Sequence, residues 1–165
     1  MAKDASYYWK FAPVKQDDPT ECWAASLDWW SQVTPGRTHV GKMTLLSDYV
    51  RYWDTRDTLP DGSPNPDYGT MPPENMKKVM DEARWNMKTD VIAGAKFTME
   101  FINARLANGP LMIGFNRVGL GGHAVCIYGA TPTHYAAMDP DGGKYIGRAA
   151  SYYTQSPAIL VGSAK

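Results

Sequence analysis

The sequence predicts an α+β fold in which helices come first and an antiparallel sheet follows. Before residue 109, apolar residues recur at helical spacing, whereas beyond it short aliphatic and aromatic runs are separated by glycine, proline or aspartate. The 165 residues contain no internal repeat and are too few for two ordinary domains. We therefore predict one domain over residues 1–165, with a helical part at about 16–109 and a sheet part at about 110–163.

Four helices are predicted in the first part. The first opens near Thr20, whose hydroxyl can cap it, and continues through ECWAASLDWWSQV until Pro35-Gly36 stops it. Its apolar residues occupy most of its circumference, so we expect a buried, central helix. The other helices are MTLLSDYVRYWDTRD, ENMKKVMDEARW and MEFINARLA, the last started by Thr98. Between the second and third lies LPDGSPNPDYGTMPPE, a long loop of a kind that often serves a function.

The second part contains five predicted strands: LMIGFN, HAVCIYGA, HYAAMD, KYIGRAA and AILVG. Each is bounded by glycine, proline or aspartate, as is typical of antiparallel strands joined by short turns.

Charge and composition narrow the possible partners and location. Seventeen basic residues balance seventeen acidic ones, which indicates neither a nucleic-acid nor a membrane partner. No apolar run is long enough to span a bilayer, and MAKDASYYWKF lacks the apolar core of a secretory signal. Two cysteines suit a reducing compartment, so we expect free thiols in a protein that is cytoplasmic where it is made.

Cys22 is the candidate nucleophile. Placed in the first turn of the first long helix, its sulfur lies near unpaired backbone N–H groups that favour the thiolate. The alternative is a small buried hydrophobic residue, the usual fate of a free cysteine.

His123 is the candidate base. It follows Gly121 and Gly122 at the start of a strand, where another segment can approach closely. A hydrogen-bonded histidine at a sheet edge is the alternative interpretation. His39 and His134 are second choices, because neither lies beside a comparable pair of glycines.

Asp139 is the candidate group that orients His123. The stretch HAVCIYGATPTHYAAMD is typical of a hairpin, and a turn centred on Thr131 would place His123 opposite Asp139 on one sheet face. A wider turn would make Asp141 the partner instead. The same alternation assigns Cys126 to the opposite face and to the core, away from His123. Scattered histidines and cysteines do not form a zinc site, so no metal is expected.

Gln16 is the candidate oxyanion donor. It precedes Cys22 by a short polar connection, so its amide can turn back toward the thiol. An exposed loop glutamine is the alternative.

Gln16, the Cys22-Trp23 pair at a helix start, His123 and Asp139 together resemble the catalytic set of papain-like cysteine proteases, in the same order along the chain. The phrases ANGPLMIGF and GGHAVCIYGA are similar to compact bacterial members, namely leader-peptide-trimming peptidase domains and papain-like effector or toxin domains. PTEC replaces the second cysteine and glycine that precede the nucleophile in papain itself, which argues against a close papain relative. The resemblance implies a two-lobed fold, with a helical lobe and its central catalytic helix packed on a C-terminal antiparallel sheet.

The resemblance also implies a function: a cysteine endopeptidase that cleaves a protein substrate without a cofactor. Cys22 would attack, His123 would transfer protons, Asp139 would fix the imidazole, and Gln16 would stabilise the oxyanion. We expect a bacterial effector or interbacterial toxin, delivered into a target cell's cytoplasm by a secretion system, with an immunity protein that covers the cleft. Three alternatives stay open: a peptidoglycan amidase, a transpeptidase that uses the same thioester, and a catalytically inert binding module.

Overall fold

The computed structural model describes residues 3–165 and confirms the α+β class. Its α-helices are α1 (Ala5–Tyr8), α2 (Cys22–Val33), α3 (Lys42–Asp48), α4 (Pro73–Met80), α5 (Met99–Arg105) and α6 (Ser151–Thr154). Its strands are β1 (Met87–Ala93), β2 (Leu111–Arg117), β3 (Gly121–Ala130), β4 (His134–Asp139), β5 (Lys144–Ala149) and β6 (Ala158–Ala164). All five strands predicted from the sequence are present, as β2 to β6.

The strands form one antiparallel sheet in the order β1-β6-β2-β3-β4-β5. Strand β1 was missed, because MKTDVIA mixes polar and apolar residues and gains its partner only from β6, at the far end of the chain. The predicted boundary near residue 110 is therefore wrong for the sheet, since β1 lies among the helices in sequence.

Helix α2 lies across one face of the sheet, against β3 and β2. Trp29 and Trp30 are fully buried there, and Trp30 Nε1 donates to the Pro110 carbonyl 2.8 Å away. The other face is covered by a second apolar cluster that includes Phe97 and Tyr153. The sheet is buried on both faces, which explains why β3 is apolar along most of its length.

Several helix limits differ from the predicted ones. The second predicted helix ends early, because α3 stops at Asp48 and only a short 3₁₀ turn follows at Val50–Tyr52. The third begins at Pro73, whose fixed φ suits the first helical position, and α4 ends at Met80. The predicted start at Thr98 is confirmed, since its hydroxyl accepts the Phe101 N–H at 3.3 Å. Within residues 3–165, every helix is too short or too polar to cross a bilayer.

Candidate active site

Cys22 is the first residue of α2 and is partly exposed. The predicted cap is wrong: the residue before the helix is Glu21, and the Thr20 hydroxyl instead donates to Asp18 Oδ1 at 2.7 Å. No side chain caps the helix, so Cys22 sits among the unpaired N–H groups of the first turn. This position provides a backbone N–H and the positive end of the helix dipole beside the sulfur.

His123 lies near the start of β3 and is buried, with 3% of its surface exposed. Its Nε2 is 2.8 Å from Asp139 Oδ1, and its Nδ1 has no hydrogen-bond partner within residues 3–165. Burial alone would lower the pKa of His123, but the Asp139 carboxylate and the nearby Cys22 thiol raise it. Because Asp139 occupies Nε2, Nδ1 is the nitrogen left for the thiol.

The contact between His123 and Asp139 is made through a register that differs from the predicted one. Cys126 pairs with Met138 and Ile127 with Ala137, and the register shifts at a bulge between Ile127 and Gly129. Continuing that pairing brings Asp139 level with the residue two positions beyond His123. A displacement of two keeps both side chains on one face, so Asp139 reaches His123 diagonally.

Asp139 is the last residue of β4 and is 1% exposed. Its Oδ1 also accepts the Asp141 N–H at 3.0 Å, while its Oδ2 is 3.2 Å from Arg148 Nη2. Burial alone would raise the pKa of Asp139, but the hydrogen bond and charge of His123, with smaller contributions from the Asp141 N–H and Arg148, lower it. Asp141, the alternative partner for His123, supplies only its backbone N–H to this network.

Gln16 is joined to the same turn through its backbone, since its N–H donates to the Pro140 carbonyl at 3.0 Å. Its side chain is half-buried, and Oε1 is buried without a hydrogen-bond partner in the described part of the chain. The residues that line the cleft beside Cys22 begin only at Pro19. The structure thus brings Cys22, His123 and Asp139 together, and it holds Gln16 beside the Asp139 turn.

The remaining candidate residues lie elsewhere. His39 is half-exposed and bonds Asp28 on α2, with Nε2 and Oδ1 2.8 Å apart. His134 is exposed, and its ring lies 3.1 Å from the hydroxyl of its neighbour Thr133. Cys126 is fully buried under α2, as predicted, and its thiol donates to the Ser26 carbonyl at 3.2 Å.

Cys22 and His123 line one cleft of about 790 Å³. Large apolar side chains supply much of its surface: Trp23, Met71, Met76, Phe115, Leu120 and Leu160. Its charged groups are Asp67, Glu74 and Lys77. The volume and lining suit several residues of an extended polypeptide with apolar side chains.

The long loop before α4 forms one wall of this cleft. Gly69 has φ of +81°, and a Cβ there would lie 2.5 Å from the Thr20 hydroxyl, so the loop can approach the start of α2 only with glycine at this position. Trp23 Nε1 donates to the Gly69 carbonyl at 3.4 Å. The predicted functional loop therefore contributes residues 67 and 70–73 to the cleft.

Two residues near the site were not found from the sequence. Arg148 on β5 contacts Asp139 and stacks its guanidinium 4.5 Å from the Tyr152 ring. Lys42 at the start of α3 contacts the segment that carries Gln16. Alternation along β5 could have placed Arg148 on the face of Asp139, whereas nothing local marks Lys42.

A scan against protein-family models finds no match, and a search of curated proteins finds none either. Solved structures do match. The peptidase domain of Streptococcus ComA, a bi-functional ABC transporter involved in a quorum-sensing pathway, has a TM-score of 0.61 at 13% identity, covering 94% of this chain and 99% of that one. A putative C39-like peptidase from Bacillus anthracis has a TM-score of 0.53 at 14% identity, covering 93% and 95%.

This chain has the papain-like fold of cysteine peptidases. The predicted papain-like fold is confirmed. At such low identity, the reaction has to be inferred from the side chains of the site itself.

Within this papain-like fold, the His123–Asp139 pair predicts a pH-dependent stability. Folding raises the pKa of His123 above its ordinary value of 6.5. The shift stabilises the folded protein fully below pH 6.5, and this stabilisation is lost as the pH rises through the raised pKa. Folding lowers the pKa of Asp139 below its ordinary value of 3.8. This shift stabilises the folded protein fully above pH 3.8, and the stabilisation is lost as the pH falls through the lowered pKa. The pair therefore stabilises the fold most between these two ordinary values.

Asp139→Asn should accordingly reduce the free energy of unfolding more at about pH 5.5 than at about pH 9. Urea unfolding of both proteins at the two pH values measures the difference. Asp141→Asn is the matched control, because the Asp141 side chain is largely exposed and only its backbone N–H reaches Asp139. An equal loss for Asp139→Asn at both pH values would contradict the assignment of an ion pair.

Proposed function

We propose that this chain is a cysteine endopeptidase in which Cys22, His123, Asp139 and Gln16 carry the reaction. The observation that supports it most is the meeting of a helix-start cysteine and a carboxylate-bound histidine in one cleft. His123 Nε2 is engaged by Asp139 while Nδ1 is free to exchange a proton with the thiol. A nucleophile, a base and a group that orients the base require this arrangement of the two ring nitrogens.

The proposed reaction begins when the Cys22 thiol gives its proton to His123 Nδ1. The sulfur then attacks the peptide carbonyl carbon, and the negative charge on the oxygen is met by the Cys22 N–H and the Gln16 amide. His123 returns the proton to the departing amine nitrogen as the C–N bond breaks, which leaves a thioester. Water attacks the thioester, gives a proton to His123, and releases the carboxyl product as the C–S bond breaks.

We further propose that the enzyme is a bacterial effector or interbacterial toxin. The described residues before α2 leave the cleft uncovered: Tyr8 of α1 packs instead against Trp29 and Tyr128, with ring centroids 5.8 and 5.3 Å apart. A peptidase with an uncovered site needs another form of control in the cell that makes it. Delivery into the cytoplasm of a target cell, together with an immunity protein that covers the cleft in the producer, would provide that control.

One experiment addresses both proposals. Wild type and Cys22→Ala are expressed in the cytosol of a susceptible bacterium, and separately in its periplasm, with growth and new protein N-termini measured in each case. We expect Cys22-dependent growth arrest in the cytosol, with new N-termini that are absent from Cys22→Ala cells. Lysis only from the periplasm would favour a peptidoglycan amidase, and amine adducts at the new C-termini would favour a transpeptidase. Equal effects of wild type and Cys22→Ala would favour a binding module.

A further inference from the structure

Lys42 contacts both ends of the segment that carries Gln16 and leads to Cys22. Lys42 Nζ lies 3.2 Å from the Lys15 carbonyl, 2.5 Å from Asp17 Oδ2 and 3.0 Å from Glu21 Oε2. These acceptors begin just before Gln16 and end just before Cys22. The Lys42 side chain is 10% exposed and that of Glu21 18%, whereas the Asp17 side chain is 76% exposed, so the contact with Glu21 is the more sheltered from water.

The segment has few other supports. No helix or strand is formed between Gln16 and Glu21, and residues 17–19 are exposed. Besides the lysine, the Gln16 N–H bonds the Pro140 carbonyl, the Glu21 carboxylate accepts the Asp17 N–H at 3.0 Å, and Asp18 accepts bonds from Thr20 and from the Glu21 N–H. Since Glu21 is itself held by Lys42, the lysine is the common partner of both ends of the segment.

Lys42 is itself fixed to the helix that carries the nucleophile. It is the first residue of α3, and its backbone N–H donates to Asp28 Oδ2 at 2.7 Å. Asp28 lies in the middle of α2 and is 9% exposed. Burial alone would lower the pKa of Lys42, but hydrogen bonds to Asp17 and Glu21 raise it, so the ammonium stays charged. Contacts of Lys42 thus join Asp28 on α2 to the Gln16 segment.

We propose that Lys42 is a positioning residue for the oxyanion site, holding Gln16 and the Cys22 N–H in a fixed relation to each other. The inference rests on the proposed function, because it assigns Lys42 to the oxyanion donors of that same site. Donors that stabilise a developing charge must be held within a fraction of an ångström, and a displacement of about 1 Å can cost about 100-fold in rate. Lys42 touches neither the thiol nor the histidine, so its loss should affect oxyanion stabilisation and leave thiol reactivity intact.

The test separates these two properties with two small reagents. p-Nitrophenyl acetate acylates the thiol through a tetrahedral oxyanion, whereas iodoacetamide alkylates the same sulfur without one. Lys42→Met keeps the length of the side chain and removes the ammonium. We expect it to slow acylation by about 10-fold to 100-fold while changing the alkylation of Cys22 by less than about 3-fold. Lys42→Arg should recover part of the acylation rate, because it retains the charge.

A double-mutant comparison links the effect to Gln16. If Lys42 acts by positioning Gln16, Lys42→Met should add little to the loss already caused by Gln16→Ala. An equal further loss in that background would overturn the inference, as would parallel falls in acylation and alkylation. Lys10→Met is the matched control, since Lys10 is exposed and lies outside the cleft.

Two further measurements keep the outcome decisive. If Lys42→Met does not fold, Glu21→Gln removes the negative charge of one Lys42 partner with little change in shape, and it should show a smaller loss of acylation with unchanged alkylation. Parallel falls in Glu21→Gln would count against the inference. A failure of the proposed function can be told apart from a failure of the Lys42 inference. If the proposed function is wrong, wild type and Cys22→Ala will be acylated at the same rate.

Discussion

Replacing Cys22 by alanine is expected to abolish peptide hydrolysis, with a fall of at least about three orders of magnitude. Without the sulfur no thioester can form, and the remaining groups can only polarise a water molecule. The measurement is the initial rate of cleavage of a peptide that spans a site identified from the new N-termini. Circular dichroism should show a folded protein, because Cys22 is only partly buried and has a small side chain.

Cys126→Ala is the matched control, since it makes the same substitution at the other free thiol. Cys126 is fully buried, and burial raises the pKa of its thiol well above the ordinary value. Cys126→Ala should keep the hydrolysis rate and lose a little stability, because a buried sulfur is removed from a packed core. Full hydrolysis by Cys22→Ala would reject the proposed nucleophile. In the wild type, iodoacetamide should label Cys22 long before Cys126.

Much of the fold could be predicted because the deciding signals are local. Thr98 caps α5 through a bond to a residue three positions along the chain. Pro73 fixes the start of α4, and the aliphatic runs of β2 to β6 are interrupted at their turns by residues that end strands. Such features depend on a few consecutive residues, so the sequence displays them directly.

The position of Asp139 shows how far a local argument extends. Alternation placed its side chain on the face of His123, and the structure agrees. The exact pairing was wrong, because the turn is wider than predicted, with Ala130 opposite Tyr135, and the bulge between Ile127 and Gly129 then shifts the register by one residue. The predicted contact forms nevertheless, because a displacement of two residues keeps both side chains on the same face of the sheet.

Contacts between distant residues were not predictable in the same way. Lys42 meets Asp17 and Glu21 only because α3 folds back along α2, and no motif in the lysine's neighbourhood marks that role. Thr20 was assigned as a cap because its residue type fits, yet Asp18 competes for its hydroxyl. Residue type and spacing suggested the candidate catalytic groups, whereas the residues that contact them were seen only in the packed structure.

Replacing His123 by alanine is the second change from which a very large loss is expected, again about three orders of magnitude in hydrolysis. Neither of the other two histidines, His39 and His134, lines the cleft, so neither can take the thiol proton and return it to the leaving amine. Alkylation of Cys22 should also slow, because the ring that accepts the thiol proton is gone. Added imidazole should restore part of the hydrolysis if it can enter the space left by the ring.

His39→Ala provides a close control, because the chain contains a second histidine–carboxylate pair with the same separation. His39 Nε2 and Asp28 Oδ1 are 2.8 Å apart, as are His123 Nε2 and Asp139 Oδ1. The two pairs differ in environment: the His39 side chain is 48% exposed and that of His123 is 0% exposed. If a histidine–carboxylate pair were sufficient for activity, both substitutions would be harmful. We expect His39→Ala to keep hydrolysis within a few-fold of wild type, since only His123 shares a cleft with the thiol, and the opposite result would mean that the wrong histidine has been assigned.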